Sequence, residues 1–167
     1  MRKTLEAIAL LALLVTWGFT CVALVGPSRL SGIIAIHFDA AGRPNGWGEA
    51  STLWFLPALA VVIYVTLSVV ARMPAVFSLP TPITEESRIR LQFQARSMIL
   101  WLKAEIICFF GWIQFEIIRS AQQLHLTLSP AFVQVYLAAI FVTVAWRLGC
   151  MWQAVRTRHA IVERPNP

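Results

Sequence analysis

Four apolar blocks, Leu5 to Val25, Leu53 to Ala71, Ser97 to Ile118 and Pro130 to Trp152, constrain this chain more than any other feature. Each is long enough to cross a bilayer core of about 30 Å at 1.5 Å rise per residue, where a helix satisfies its own backbone polar groups. Composition agrees: 58% of the 167 residues are apolar and 13% charged, where a soluble domain has roughly half and a quarter. The blocks fill about half of the chain and leave no room beside them for a soluble catalytic domain. The expected fold is an all-α membrane protein of one domain, residues 1–167. Its four transmembrane helices form an antiparallel bundle, with a short extracytoplasmic flap, residues 28–51, between helices 1 and 2.

Charge sets the expected direction. The N-terminus (Arg2, Lys3), the second connection (Arg72, Arg88, Arg90, Arg96) and the tail (Arg156, Arg158, Arg164) hold nine Lys and Arg, whereas the first and third connections hold three: Arg29, Arg43 and Arg119. By the positive-inside rule both termini are expected in the cytoplasm. The net charge of +6 is mostly this asymmetry. It suits anionic lipid headgroups, and no basic stripe interleaved with aromatics points to nucleic acid. Block one exceeds the apolar core of a signal peptide and no good cleavage site follows it, so it reads as a span. Cys21, Cys108 and Cys150 lie within spans at different depths and form no C-x-x-C pair, so they read as small packing residues.

The connections differ. The second contains Pro74, Pro80 and Pro82, then Thr84-Glu85-Glu86, an N-cap followed by acidic residues that favour the positive end of a helix dipole. Ile89 and Phe93, one turn apart among Arg88, Arg90, Gln92 and Arg96, suggest that the first turns of this helix rest among headgroups. In block two, Pro57 leaves the Leu53 carbonyl without its usual amide partner. In the first connection Ile34, Ile36 and Phe38 alternate with Ala35, His37 and Asp39, which predicts an extended run with His37 and Asp39 on one face. Gly42 and Pro44-Asn45-Gly46 are expected to reverse the chain. A two-stranded flap is not stable alone, so it must pack on the helix ends, with Trp47 and Trp54 as interfacial anchors.

Ile36-His37-Phe38-Asp39, Gly42, Pro44-Asn45-Gly46-Trp47-Gly48 and then Pro57 resemble the signature of a bacterial membrane domain of unknown function that also forms the N-terminal part of SdpI-type immunity proteins. That signature has an Ile-Pro-x-His-Phe-Asn core, a Gly, a Pro-Asp-Gly turn and a following helix with a Pro. The resemblance runs from Ser28 to Pro57, and three positions depart from it: Ala35 for Pro, Asp39 for Asn and Asn45 for Asp. It implies a bacterial cytoplasmic membrane location and immunity against a toxin protein through the outer loop. The binding or loop-latch candidates are then His37, Asp39, Arg43, Asn45 and Trp47.

Ionisable residues within a span ask for a partner or a purpose. In block three, Glu105 and Glu116 share a stripe with Cys108 and Trp112, while Lys103 and Gln114 form another nearly opposite, so the helix should have two different neighbours. Lys103 is expected to snorkel to the near surface and Glu116 to sit one turn from Arg119. Glu105, the deepest charge, is expected to pair with Arg147 across blocks three and four.

The leading functional expectation is a non-enzymatic membrane protein of the immunity or sensor class, in contact with the bilayer and with another membrane or secreted protein. Alternatives are a small transporter or accessory subunit of a membrane complex, and a metal-dependent membrane enzyme. His37, Asp39, Glu49 and His125 are residue types that zinc accepts, but their spacing matches no metal motif. No catalytic residue, metal or cofactor is expected, and no G-x-S-x-G or comparable nucleophile motif occurs.

Overall fold

A computed structural model describes residues 2–27, 29–73, 85–122 and 129–162. In chain order these form α1 (Arg2–Val25), a hairpin of β1 (Ile33–Phe38) and β2 (Pro44–Glu49), a 3-10 turn (Ala50–Trp54), α2 (Phe55–Val70), α3 (Glu85–Gln122) and α4 (Pro130–Val162). Four helical stretches, Arg2–Val25, Ala50–Val70, Arg88–Gln122 and Pro130–Gln153, are long and apolar enough to cross a membrane. The protein is therefore an all-α membrane bundle with a small two-stranded sheet between its first two spans.

Local chemistry sets the element ends. The Gly26 amide donates to the Val22 carbonyl, closing the last turn of α1 before Pro27, and beyond the proline the Leu30 amide donates back to the Ala23 carbonyl. A Cβ on Gly26 would collide with the Val22 carbonyl, so a glycine is needed there. At the other end of the long third helix Glu85 and Glu86 occupy the first turn, as their dipole preference requires. Thr84, its expected cap, and Pro74, Pro80 and Pro82 lie outside the described residues.

The long α3 is the central post, packing on α1, α2, α4 and β1. Its contact with α1 is close because Gly111 lacks a Cβ, which would stand 2.8 Å from Thr16 Oγ1. Thr16 and Thr20 are fully buried there, and each hydroxyl donates to the carbonyl four residues back. Small residues let membrane helices approach in this way. Core clusters run along the three-helix unit: Leu5, Ala9, Ile99, Leu100 and Ala104 near the N-terminus, Leu13, Ala60 and Ile107 midway, and Ala23, Ile34, Ala50, Leu53 and Ile118 under the hairpin. Among the described residues, none of α4 enters these clusters. That helix is held to α3 by aromatic contacts, Phe132 on Trp112 at 3.9 Å and Tyr136 on Phe109 at 5.0 Å between ring centroids.

Candidate functional site

The hairpin is seated by Ile34, which is buried against Ala23 of α1 and Ile118 of α3. Its strands pair antiparallel, Ile33 opposite Glu49, Ala35 opposite Trp47 and His37 opposite Gly46, with irregular register on both sides of His37.

The reversal differs from the expectation. It lies between Phe38 and Pro44, with Gly42 at φ 76°, while Pro44-Asn45-Gly46 belongs to β2. Asp39 makes this turn. Its Oδ1 accepts from the amides of Ala41 and Arg43, both at 2.8 Å, and its Oδ2 from Arg43 Nε at 3.1 Å. The Arg43 amide, ahead of the smaller contributions of the Arg43 side chain and the Ala41 amide, holds the Asp39 carboxyl below the ordinary 3.8. Gly46 serves close approach and not positive φ: a Cβ there would stand 2.7 Å from His37 Cβ.

His37 and Asp39 are therefore not partners on one face. The strand ends at Phe38 and Asp39 turns its carboxylate into the loop, while His37 Nδ1–H donates across the hairpin to Asn45 Oδ1. Two clasps result, His37 with Asn45 and Asp39 with Arg43. They leave the Arg43 side chain 73% exposed and Trp47 63% exposed. Trp54 is half-buried, 5.5 Å from Trp17 between ring centroids. Among the described residues no group of three His, Cys, Asp or Glu could hold a metal ion, and His125 lies outside them.

Inside the bundle the two stripes of α3 meet different helices. Lys103 does not snorkel: it is fully buried, its Nζ donating to Glu6 Oε2 at 2.6 Å and to Ser68 Oγ at 3.0 Å, 4.4 Å from the centre of the Tyr64 ring. The reason is an available carboxylate in α1, which offers a partner inside the bundle that a snorkelling ammonium would forgo. Sequence reasoning passed over Glu6, although it lies within block one and was the signal that could have found this cluster. On the opposite stripe, Glu105 Oε1 accepts from Thr143 Oγ1 at 2.8 Å, and the Tyr136 hydroxyl donates to the Glu105 carbonyl at 3.1 Å. Arg147, one turn beyond Thr143, sits over the Trp101 ring at 5.7 Å and forms no ion pair with Glu105. The helix register brings Thr143 level with Glu105 instead.

These elements frame the comparison with known proteins. Residues 7–61 match the model of a domain of unknown function, DUF1648. The match spans most of α1, the whole hairpin and the first turns of α2, roughly a third of the chain. The DUF1648-like segment thus ends just beyond Pro57 and leaves α3, on which it packs, outside the matched region. Comparison with curated proteins and with solved structures returns no match.

Proposed function

We propose that this is a non-enzymatic protein of the bacterial cytoplasmic membrane with an SdpI-like immunity or sensor role, exerted through protein contacts at the hairpin. The observation that carries the reading is the hairpin tip itself. Paired clasps fix its backbone, yet Arg43 and Trp47 stay exposed beyond the helix ends. Exposed Trp and Arg on an ordered support are the residue types enriched at protein contact hot spots. The resemblance of this segment, which also carries the DUF1648 match, to SdpI-type proteins supports immunity as the form of that contact. The positive-inside count supports cytoplasmic termini and a hairpin outside, where a secreted toxin protein arrives.

A second reading, a small transporter or accessory subunit, draws support from the Glu6, Lys103 and Ser68 cluster, because buried charges within spans commonly serve ion or substrate pathways.

A strain lacking the protein, complemented with variants and exposed to secreted proteins of neighbouring cells, separates recognition from structure. Recognition predicts that Arg43→Ala and Trp47→Ala lose protection with unchanged thermal stability. If both variants protect fully and only His37→Ala fails, through lowered stability, the hairpin is a structural latch. Cysteine labelling tests the orientation: Gln122→Cys should label from outside and Thr157→Cys should not.

A further inference from the structure

The base of the hairpin, away from the clasped tip, borders a cleft of about 540 Å³ lined by Val25, Arg29, Ser31, Glu49, Ser51 and Trp54 among others. Val25 closes the first span and Ala50 opens the second, so the cleft lies where both segments leave the apolar layer. Its lining changes character across that level. Val25, Ser51 and Trp54 come from the span ends, and Arg29, Ser31 and Glu49 supply polar groups from the connection.

The two charges are the informative pair. Arg29 and Glu49 are both exposed, and among the described residues neither forms an ion pair. Among the described residues Glu49 Oε2 accepts from Ser51 Oγ, at 3.2 Å. A simple anion in this cleft would meet the Glu49 carboxylate, and a simple cation would meet the Arg29 guanidinium. A ligand carrying both signs satisfies both. A guanidinium grips phosphate oxygens in bidentate fashion, a carboxylate accepts from a primary ammonium, and a Trp ring sits well at headgroup depth. The exposed apolar side at Val25 asks further for a ligand with an apolar tail. A free amino acid or peptide terminus has the charges but not the tail.

We propose that this cleft is a headgroup site for phosphatidylethanolamine from the leaflet on the hairpin side, with phosphate against Arg29 and ammonium against Glu49. The site is independent of the protein-contact role of the tip, since it uses none of the tip residues.

Native mass spectrometry of the full chain, purified in detergent and supplied with lipids of identical acyl chains, tests the assignment. Phosphatidylethanolamine should be retained about tenfold better than phosphatidylglycerol, a preference equivalent to about 1.4 kcal/mol. It should also exceed phosphatidylcholine, whose quaternary nitrogen has no hydrogen to donate. Arg29→Gln should lower retention of phosphatidylethanolamine, and Glu49→Gln should abolish its advantage over phosphatidylcholine. Arg29→Lys and Glu49→Asp, which keep the charges, should retain part of the preference, and melting curves should show all four variants folded. Equal retention of phosphatidylethanolamine and either other lipid by the unaltered chain overturns the proposal, as does an undiminished preference in both neutralised variants. Soluble glycerophosphoethanolamine competing as well as the lipid would overturn the membrane source of the ligand.

Discussion

Gln114 of α3 donates through Nε2 to the Leu53 carbonyl at 3.0 Å, the carbonyl to which Pro57, four residues on, has no amide to donate. The same Nε2 donates to Thr20 Oγ1 at 2.8 Å, so one buried amide ties the turn that leads into α2 and the last turns of α1 to the central helix. The proline and the glutamine are a complementary pair: an imino acid removes a backbone bond inside a span, and a side chain from a neighbouring helix restores it.

Replacing Gln114 with Leu strands both acceptors, and a buried group left without its partner costs about 1–3 kcal/mol. Pro57→Ala returns an amide to position 57 and removes the need for the glutamine at Leu53. The Gln114→Leu penalty should therefore shrink in the Pro57→Ala background, with a coupling of about 0.6–1.7 kcal/mol, the range of hydrogen bonds between membrane helices. Equilibrium unfolding of the four proteins in mixed detergent micelles measures it. Strict additivity would show that the Leu53 contact has no energetic role.

A second expected outcome concerns the buried ion pair. Lys103 is 0% exposed and the Glu6 side chain 36%, so the two partners differ in what they leave behind. Removing Lys103 leaves a carboxylate that water or headgroups can reach, whereas removing Glu6 leaves an ammonium enclosed by Ser68 and Tyr64. Breaking a buried pair costs about 3–5 kcal/mol when the remaining charge is enclosed. Glu6→Ala should approach that figure, Lys103→Met should cost less, and the double variant should be more stable than Glu6→Ala alone. Melting temperatures in detergent decide the order.

The spans were legible because twenty apolar residues in a row have one solution in a bilayer, and the two stripes of α3 were legible because helical spacing alone puts Lys103 and Gln114 opposite Glu105. What each stripe would meet was not. Finding Glu6 for Lys103 required the packing of α1 against α3, and finding Thr143 in place of Arg147 required a register between α3 and α4 that no local signal specifies. The hairpin was legible from its alternation and its turn-forming residues, yet the reversal expected at Gly42 also took in Pro44-Asn45-Gly46, on the strength of the Asn45-Gly46 dipeptide. That dipeptide favours positive φ in general, but here the Asp39 carboxylate had already organised the reversal, and Gly46 serves to let His37 pass.

That use of Gly46 leads to a contrast between two glycines of β2. At Gly46 an added Cβ meets His37 Cβ at 2.7 Å, an atom fixed to the opposite strand. At Gly48 it meets the Ile36 Cδ1 at 2.6 Å, the far end of a side chain that can rotate away. Gly46→Ala should open the hairpin and expose it to proteolysis, while Gly48→Ala should leave the digestion rate close to that of the unaltered chain.

The Asp39 turn should depend on acidity. Because the folded carboxyl titrates below the ordinary 3.8, the turn gains stability that is fully present above 3.8 and is lost as pH falls through the lowered value. Amide hydrogen exchange should show Ala41 and Arg43 protected at pH 6, and their protection should fall at acidic pH relative to exchange of the same residues in Asp39→Asn. Arg43→Ala should preserve most of the protection, because its backbone amide still donates to Asp39 and an exposed ion pair contributes only about 0–1 kcal/mol.

The last prediction tests how α4 is attached. Glu105 Oε1 is engaged by Thr143 while Oε2 is buried without a partner among the described residues, so one hydroxyl carries the polar contact of this carboxylate across the helix pair. Arg147 contributes through the Trp101 ring, a separate contact. Thr143→Val and Glu105→Gln should therefore couple, because each disturbs the same hydrogen bond, while Glu105→Gln and Arg147→Gln should be close to additive. Interaction energies are expected for residues in direct contact and small ones for residues with no shared partner. A stability cycle for each pair, read by unfolding in detergent, gives the two values. Strong coupling of Glu105 with Arg147 and none with Thr143 would mean that α4 is shifted by one turn along α3 from the register described here.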